Sequence, residues 1–396
     1  MSPLRLIVLL CLAEVLGMLG FATFPALLPT FLAEWGLSNT AAGWINGIYY
    51  AGYLLTVPVL VALTDRVDPK RIYLFATALA GLGTIGFALF ADGLWSASAF
   101  RALAGIGLAG TYMPGLKALT DRIGGGQQSR AVAFYTGSFS IGSSLSFFAA
   151  GEIATRFGWQ WAFGLATLGP AIAFLLILWL LPAHRPTGSA PPVRLLDFRP
   201  VLRNRPVMGY VLAYACHNWE LFGFRSWLVA FLAFAATLQA PGTSSWSATG
   251  LAAFVNLLGL VAGVLGVEIA LRAGRHRFLV FAMLVSALVS ASFGFSAGLP
   301  YAAIVALVLV YGITVSWDSA VITSSIVAAA DPRLRGATMA VQSTLGFAGS
   351  FIGPLAFGVV LDLAGGNESR LAWGLAFAML GAVVALGPVA VRRLKG

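Results

Sequence analysis

Charged side chains are scarce in this chain. Asp, Glu, Lys and Arg make up 10% of its 396 residues, against about 25% in soluble domains. Lysine occurs only at Lys70, Lys117 and Lys395, and histidine only at His184, His217 and His276. So thin a supply leaves little from which to build a metal set or a nucleophile–base pair, which argues against an enzyme. The two cysteines, Cys11 and Cys216, lie in apolar runs and imply no disulfide framework. No G-x-x-x-x-G-K-[ST] loop is present; IGGGQQS (123–129) is glycine-rich but lacks the lysine. ATP is therefore not expected as the direct energy source, and no cofactor or metal is expected. A cleavable signal peptide is not expected either. The first apolar stretch runs from Leu6 past Phe31, too long for a signal core and without a small-residue cleavage site.

Apolar residues are abundant. They make up 59% of the chain, mean hydropathy is +0.89, and there are 46 Gly, 28 Phe and 11 Trp. A membrane span needs about 20 apolar residues. Twelve such stretches are expected, at roughly 6–32, 41–63, 71–91, 95–118, 130–154, 160–181, 207–236, 247–271, 278–296, 299–329, 336–361 and 370–391. Pro25, Pro29, Pro114 and Pro354 lie inside spans and are expected to kink them without ending them. The net charge of +10 does not point to nucleic acid, because the basic residues sit in short clusters between apolar runs. Every second connector is basic, and the others hold only Arg156 and Arg370. That alternation places both termini in the cytoplasm. The expected setting is a multi-pass cell membrane protein, in bacteria the inner membrane.

The longest connector, residues 183–206, is rich in Pro, Gly and Arg and divides the spans six and six. Three parts follow: a bundle at 1–182, a cytoplasmic linker at 183–206 and a bundle at 207–396. Within the linker, Leu195–Leu202 reads either as a short surface helix or as plain linker. The halves repeat. GFATF (20–24) matches GFRSW (223–227) at an offset of 203, and SRAVAFYTGS (129–138) resembles LRGATMAVQS (334–343) at 205. Two six-helix halves in the same orientation form a parallel repeat.

On these residues the chain resembles the major facilitator superfamily along its whole length. The loop ALTDRVDPKRI (62–72) is similar to the family's signature after span 2, through Asp65, Arg66, Lys70 and Arg71; Val61 and Asp68 stand where the family usually has Gly. In span 4, Arg101 followed by Gly105, Gly107 and Gly110 also matches. Span 5 departs from the antiporter branch, because no Gly-Pro pair follows Gly137, Gly142 and Gly151. The resemblance implies an all-α membrane fold of twelve helices in two six-helix halves. It also implies transport by alternating access, with spans 1, 4, 7 and 10 lining a central cavity. Asp65, Arg66, Lys70 and Arg71 would then form a conformational gate on the cytoplasmic face; the other reading is a solvated charged turn.

An ionisable residue near a bilayer centre costs about 2.5–3.5 kcal/mol, so each needs a partner, water or a function. The unexplained charges fall in the four cavity spans: Glu14; Arg101 and Lys117; His217, Glu220 and Arg225; and Asp318. At about 1.5 Å per residue, Glu14, His217 and Glu220 lie near mid-membrane. Glu14 and His217 are repeat mates at the offset of 203. They read either as a proton-coupling pair or as a structural hydrogen bond. Glu220 and Asp318 are the other candidates for proton coupling. An imidazole titrates near neutral pH and burial disfavours an ionised carboxyl, which suits both types to carrying protons.

Arg101 and Arg225 lie toward the outer third. A pair of guanidinium forks suits an anion clamp; alternatively Arg225 pairs with Glu220 or Asp92 as an outer gate. Lys117 and Asp318 are candidates for an inner gate. Tyr112, Trp219 and Trp317 are candidate pocket aromatics. Asn46 and Asn256, in repeat-related spans, either bind substrate or hold helices together.

The leading expectation is a secondary transporter of a small organic or inorganic anion, coupled to protons or another ion and acting as a monomer. The alternative is a proton-coupled exporter of hydrophobic drugs or other amphiphiles. The expected partners are the solute, the coupling ion and the lipid bilayer.

Overall fold

The computed structural model describes residues 1–64, 66–124, 127–184, 198–240, 242, 246–331 and 334–394. Among the described residues every regular element is helical. Span 1 is divided into α1 (Pro3–Gly17), α2 (Thr23–Ala26) and α3 (Leu28–Glu34). Spans 2 to 5 are α4 (Asn39–Leu63), α5 (Pro69–Phe90), α6 (Leu94–Thr120) and α7 (Gln127–Phe157). Span 6 joins α8 (Trp159–Ala166) and α9 (Leu168–Leu180). A short α10 (Arg199–Arg203) precedes span 7, α11 (Arg205–Thr237). It falls partly in the stretch read as a possible surface helix, whose residues 195–197 lie outside the described ones. Span 8 is α12 (Ala248–Ala273), and span 9 is α13 (Arg275–Phe293) with a 3-10 turn at Gly294–Gly298. Span 10 joins α14 (Tyr301–Thr314) and α15 (Ser319–Ala329), span 11 is α16 (Arg335–Leu363), and span 12 joins α17 (Arg370–Val384) and α18 (Leu386–Arg393).

This architecture is compatible with twelve spans. Among the described residues, nine helices are long and apolar enough to cross a bilayer by length and composition alone. The other three spans fall short for identifiable reasons. The first helix, α1, has 15 residues, while α6 and α7, with 27 and 31, are long enough but diluted by Gly, Ser and Thr.

Span 1 departs from the sequence expectation: it is interrupted, not merely kinked. Proline has no N–H, so Pro25 cannot donate to the Phe21 carbonyl four residues earlier. That freed carbonyl accepts instead from Arg101 Nη1 of α6 at 3.2 Å. Ser146 of α7 closes the rest of the gap, accepting from the Ala22 N–H at 2.9 Å and donating to the Leu19 carbonyl at 2.7 Å. Pro114 and Pro354, by contrast, sit inside unbroken helices.

The chain forms two compact units, Met1–Leu27 with Ile48–Leu195, and Leu28–Gly47 with Leu196–Gly396. In the first, a buried cluster of Leu6, Leu9, Leu10, Tyr73, Tyr135 and Ile177 joins spans 1, 3, 5 and 6. Gly105 lets α6 lie directly against α4, since a Cβ there would collide with the Tyr49 carbonyl oxygen. In the second, Val207, Val211, Met283, Ile322, Val341 and Val384 draw spans 7, 9, 10, 11 and 12 together. Farther along α11, Trp227, Phe231, Phe357, Trp373 and Phe377 form a buried ring cluster, with Trp227 and Phe357 stacked at 5.2 Å.

The start of α4 belongs to this second unit and is tied to the end of α16. Asp362 Oδ1 accepts from Asn39 N at 3.1 Å and Asn39 Nδ2 at 2.9 Å. Its Oδ2 accepts from Thr40 N at 2.8 Å and Thr40 Oγ1 at 2.6 Å. Ser38 Oγ takes the Ala41 N–H at 3.1 Å, and the Ser38 carbonyl takes that of Ala42 at 3.0 Å. All four N–H groups that a helix start leaves without intrahelical partners are thereby satisfied. Gly43 of α4 and Gly358 of α16 allow the contact, because a Cβ on either would meet backbone of the other helix.

Candidate functional site

In the first unit the site begins with Arg101. It is 2% exposed, and its guanidinium carbon lies 4.3 Å from the centre of the Tyr49 ring and 5.8 Å from that of Phe24. The Phe21 carbonyl holds one of its nitrogens, while Nε has no hydrogen-bond partner. Rings and a carbonyl stabilise a cation but do not neutralise it. Among the described residues no carboxylate forms an ion pair with Arg101.

Glu14 lies on α1 and is 1% exposed. Its Oε2 is 3.1 Å from the Tyr135 hydroxyl, which also lies 3.2 Å from the Thr111 carbonyl and 3.1 Å from that of Tyr112. Glu14 Oε1 has no partner. The Tyr112 ring stacks on Tyr135 at 5.9 Å and meets Phe139 edge-on. Tyr112 thus stands beside the Glu14 hydrogen-bond centre, packed against neighbouring rings.

The signature loop behaves differently from its expected form. Asp65 lies outside the described residues, and Arg66 and Arg71 are exposed. Lys70 turns back to the end of α9 and donates to the carbonyls of Leu178 at 2.8 Å and Leu181 at 2.6 Å. A cation there satisfies carbonyls that the helix end leaves free and complements its dipole. Asp68, where the family usually has Gly, caps α5 through Lys70 N at 2.9 Å and accepts from His184 N at 2.8 Å. Arg122 reaches the Pro182 carbonyl at 2.9 Å and lies 3.8 Å from Asp68. Together these residues fasten the chain where the linker begins. Lys117 pairs with Asp121, one turn on, at 3.2 Å.

In the second unit, His217 Nδ1 lies 2.8 Å from Asp318 Oδ1, with both side chains at most 2% exposed. The distance is that of an ion pair, but the angles do not meet those of a hydrogen bond. Asp318 thus has His217 as its ion-pair partner within the second unit. The His217 ring also stacks on Tyr214 at 6.1 Å. Glu220, one turn along α11, turns toward span 9, where Ser286 Oγ donates to its carboxylate at 2.9 and 3.0 Å. It does not pair with Arg225, whose guanidinium lies 5.7 Å from the Phe222 ring. Asp92, the other partner considered for Arg225, bonds Ser96 at 2.6 Å.

The remaining candidates divide. Asn46 is 1% exposed, and its Nδ2 has no hydrogen-bond partner. Asn256 donates to its own helix at Ala252 O at 2.8 Å and leaves Oδ1 unpartnered. Trp219 and Trp317 each leave Nε1 unpartnered. Trp317 packs on Phe278 and Phe281, while the Trp219 backbone lies against Gly353 of α16.

Sequence reasoning did not find Ser146, Ser286 or Asp362 as parts of these networks. Short hydroxyl side chains are common in spans and carry no pattern of their own.

Span 1 is thus broken and braced by an arginine from span 4, and buried carboxyls lie in spans 1 and 7. A sequence profile of the Major Facilitator Superfamily matches residues 10–354, and the chain belongs to that family. Human protein spinster homolog 1 is 24% identical over 299 residues, covering 70% of this chain and 56% of the relative. The Arabidopsis thaliana protein named sodium-dependent phosphate transport protein 1, chloroplastic, is 27% identical over 226 residues, covering 52% of this chain and 43% of the relative. The chain thus spans about half the length of the curated relatives it matches. Among solved structures, nucleoside transporter NupG superposes with a TM-score of 0.78 at 13% identity, covering 99% of this chain and all of that one. An inward-facing, unoccupied bacterial homolog of the human lysosomal transporter Spinster gives 0.72 at 14%, covering 99% and 95%. At these identities the structural likeness concerns the fold.

Proposed function

We propose that the chain is a secondary active transporter that moves a small organic or inorganic anion by alternating access, coupled to protons. The observation that carries the anion reading is Arg101: a buried guanidinium with aromatic and carbonyl neighbours, an Nε without a hydrogen-bond partner and, among the described residues, no carboxylate in an ion pair with it. An anion is the ligand that such a charge lacks. Arg225, Asn46, Asn256, Tyr112, Trp219 and Trp317 are proposed as further substrate-binding residues. Relatives named for phosphate and for anion transport support the same class.

The coupling reading rests on four buried acid–base groups, Glu14, His217, Glu220 and Asp318. Arg66, Lys70, Arg71 and Lys117 remain proposed as parts of a cytoplasmic gate, together with Asp65. The alternating arginine-rich connectors support cytoplasmic termini and a cell membrane setting. The protein is taken to act as a monomer.

The test is flux in proteoliposomes under an imposed pH gradient, with inorganic phosphate and a panel of labelled carboxylates against a lipophilic cationic dye. Arg101→Ala is expected to lower kcat/KM for the anion about 10²-fold, the loss of a charge-assisted contact of about 2–3 kcal/mol. Arg101→Lys is expected to recover part of it. Unchanged anion flux in Arg101→Ala would refute the anion site, and transport of the dye alone would favour the exporter. Flux driven by a sodium gradient and indifferent to pH would replace the proton with sodium.

A further inference from the structure

Span 8 carries a carboxylate on the face that the fold leaves uncovered. The covered face of α12 is built from small residues: Gly266 lies against the Trp317 carbonyl and Gly259 against Ser316, so the helix packs on span 10. The opposite face is open. At about 100° per residue, Leu257, Val261, Val264 and Leu265 fall within about 60° of Glu268, and all five side chains are exposed. On a membrane helix such an apolar stripe meets acyl chains. Glu268 stands on that stripe, five residues before Ala273, the last residue of α12. That is about 7–8 Å from the helix end.

An ionised carboxyl at that depth needs a counter-charge. Among the described residues Glu268 has no ion pair. Glu152 of span 5, by contrast, has its own partner in Arg156 at 3.0 Å. Beyond Glu268 the chain turns into α13 through the single residue Gly274, whose φ is 91°. Arg272, Arg275 and Arg277 flank that turn. All three are exposed, and among the described residues none forms an ion pair. Arg272 lies one helical turn beyond Glu268 on the same face, and helix side chains lean toward the N-terminus, so it leans back over Glu268. From the bilayer outward the surface presents an apolar stripe, one carboxylate and three guanidinium groups. Its complement has acyl chains, a cationic N–H donor and a phosphate, and an aminophospholipid joins all three.

We propose that this face of span 8 is a headgroup site for an aminophospholipid, with the primary ammonium on Glu268 and the phosphate on Arg272 and the arginines of the turn. Guanidinium forks hold phosphate oxygens in pairs, and their long stems lie along apolar surface. A purely anionic lipid satisfies the arginines but leaves Glu268 without a cation. A choline lipid brings a cation that has no N–H to donate. The site is independent of the transported solute.

Native mass spectrometry of the full-length protein tests the assignment, with phosphatidylethanolamine, phosphatidylcholine and phosphatidylglycerol of matched acyl chains added in equal amounts. Wild type is expected to retain phosphatidylethanolamine in excess of phosphatidylcholine. Glu268→Gln should weaken that retention about tenfold, the loss of one charge-assisted contact, and should hold phosphatidylglycerol at least as well as before. Arg272→Ala should weaken both. Glu152→Gln is the control and should change neither. Glu268 and Arg272 are exposed, so both variants are expected to fold, which an unchanged melting midpoint without added lipid confirms. Equal retention of phosphatidylethanolamine by wild type and Glu268→Gln overturns the proposal. So does phosphatidylcholine held as tightly as phosphatidylethanolamine, or an equal loss in Glu152→Gln. Phosphatidylglycerol held best of the three would make the turn a patch for anionic lipid and overturns it as well.

Discussion

Asp362→Ala should loosen the start of α4 by a predictable amount. The carboxylate satisfies the Asn39 and Thr40 N–H groups, which have no acceptor within the helix, and adds one side-chain bond to each residue. Removing a capping acceptor costs about 0.5–2 kcal/mol. The loss of a negative charge from a helix start adds about 0.3–1 kcal/mol at an exposed position. Asp362 is exposed, so the lower parts of both ranges apply and the sum is about 1–2 kcal/mol. That corresponds to a factor of roughly 5–30 in the local opening equilibrium. Amide hydrogen exchange followed by mass spectrometry reads this equilibrium directly. In Asp362→Ala the Asn39 and Thr40 amides should exchange about 5–30 times faster, with Asp362→Asn falling between. Ser38→Ala should accelerate Ala41, whose N–H it holds, and leave Asn39 and Thr40 close to wild type. Equal exchange at Asn39 and Thr40 in wild type and Asp362→Ala would refute the tie. So would acceleration spread evenly along α4 and α16, because that reports global loosening.

Two further outcomes follow from contacts in the first unit. Lys70→Met should lower thermal stability by about 1–2 kcal/mol, because two α9-end carbonyls lose a charged donor; an unchanged melting midpoint in detergent would show that water replaces the ammonium. Gly105→Ala places a methyl against the Tyr49 carbonyl, which is backbone and cannot swing aside. It should cost about 1–3 kcal/mol as overpacking, read as a lower midpoint, whereas Gly164→Ala, with open space at its Cβ, should be close to neutral.

The spans were legible because membrane helices announce themselves through apolar length. The concentration of charge in spans 1, 4, 7 and 10 also showed in the sequence. The direction in which each charge points did not. Glu220 and Arg225 are near neighbours on one helix, yet Glu220 faces Ser286 on span 9. The break in span 1 was marked by Pro25, but its outcome depended on whether Arg101 and Ser146 stood ready for the freed backbone groups. Lys70 matched a family signature, whereas its partners here are two carbonyls more than a hundred residues away. A single sequence shows which groups need partners; the choice among distant candidates is a matter of packing.

The Lys70 contact also sets an order of events during synthesis. Its carbonyl partners lie 108 and 111 residues downstream. At about 5–20 residues per second of translation, the ammonium exists for about 5–20 s before either acceptor has been made. Until then it must remain in water or among lipid headgroups, which holds the Lys70 end of span 3 at the membrane surface. The arrival of span 6 releases that restraint and seats the lysine. One side chain thus serves first as a topological anchor and then as a clasp that closes the first bundle once its last helix is in place.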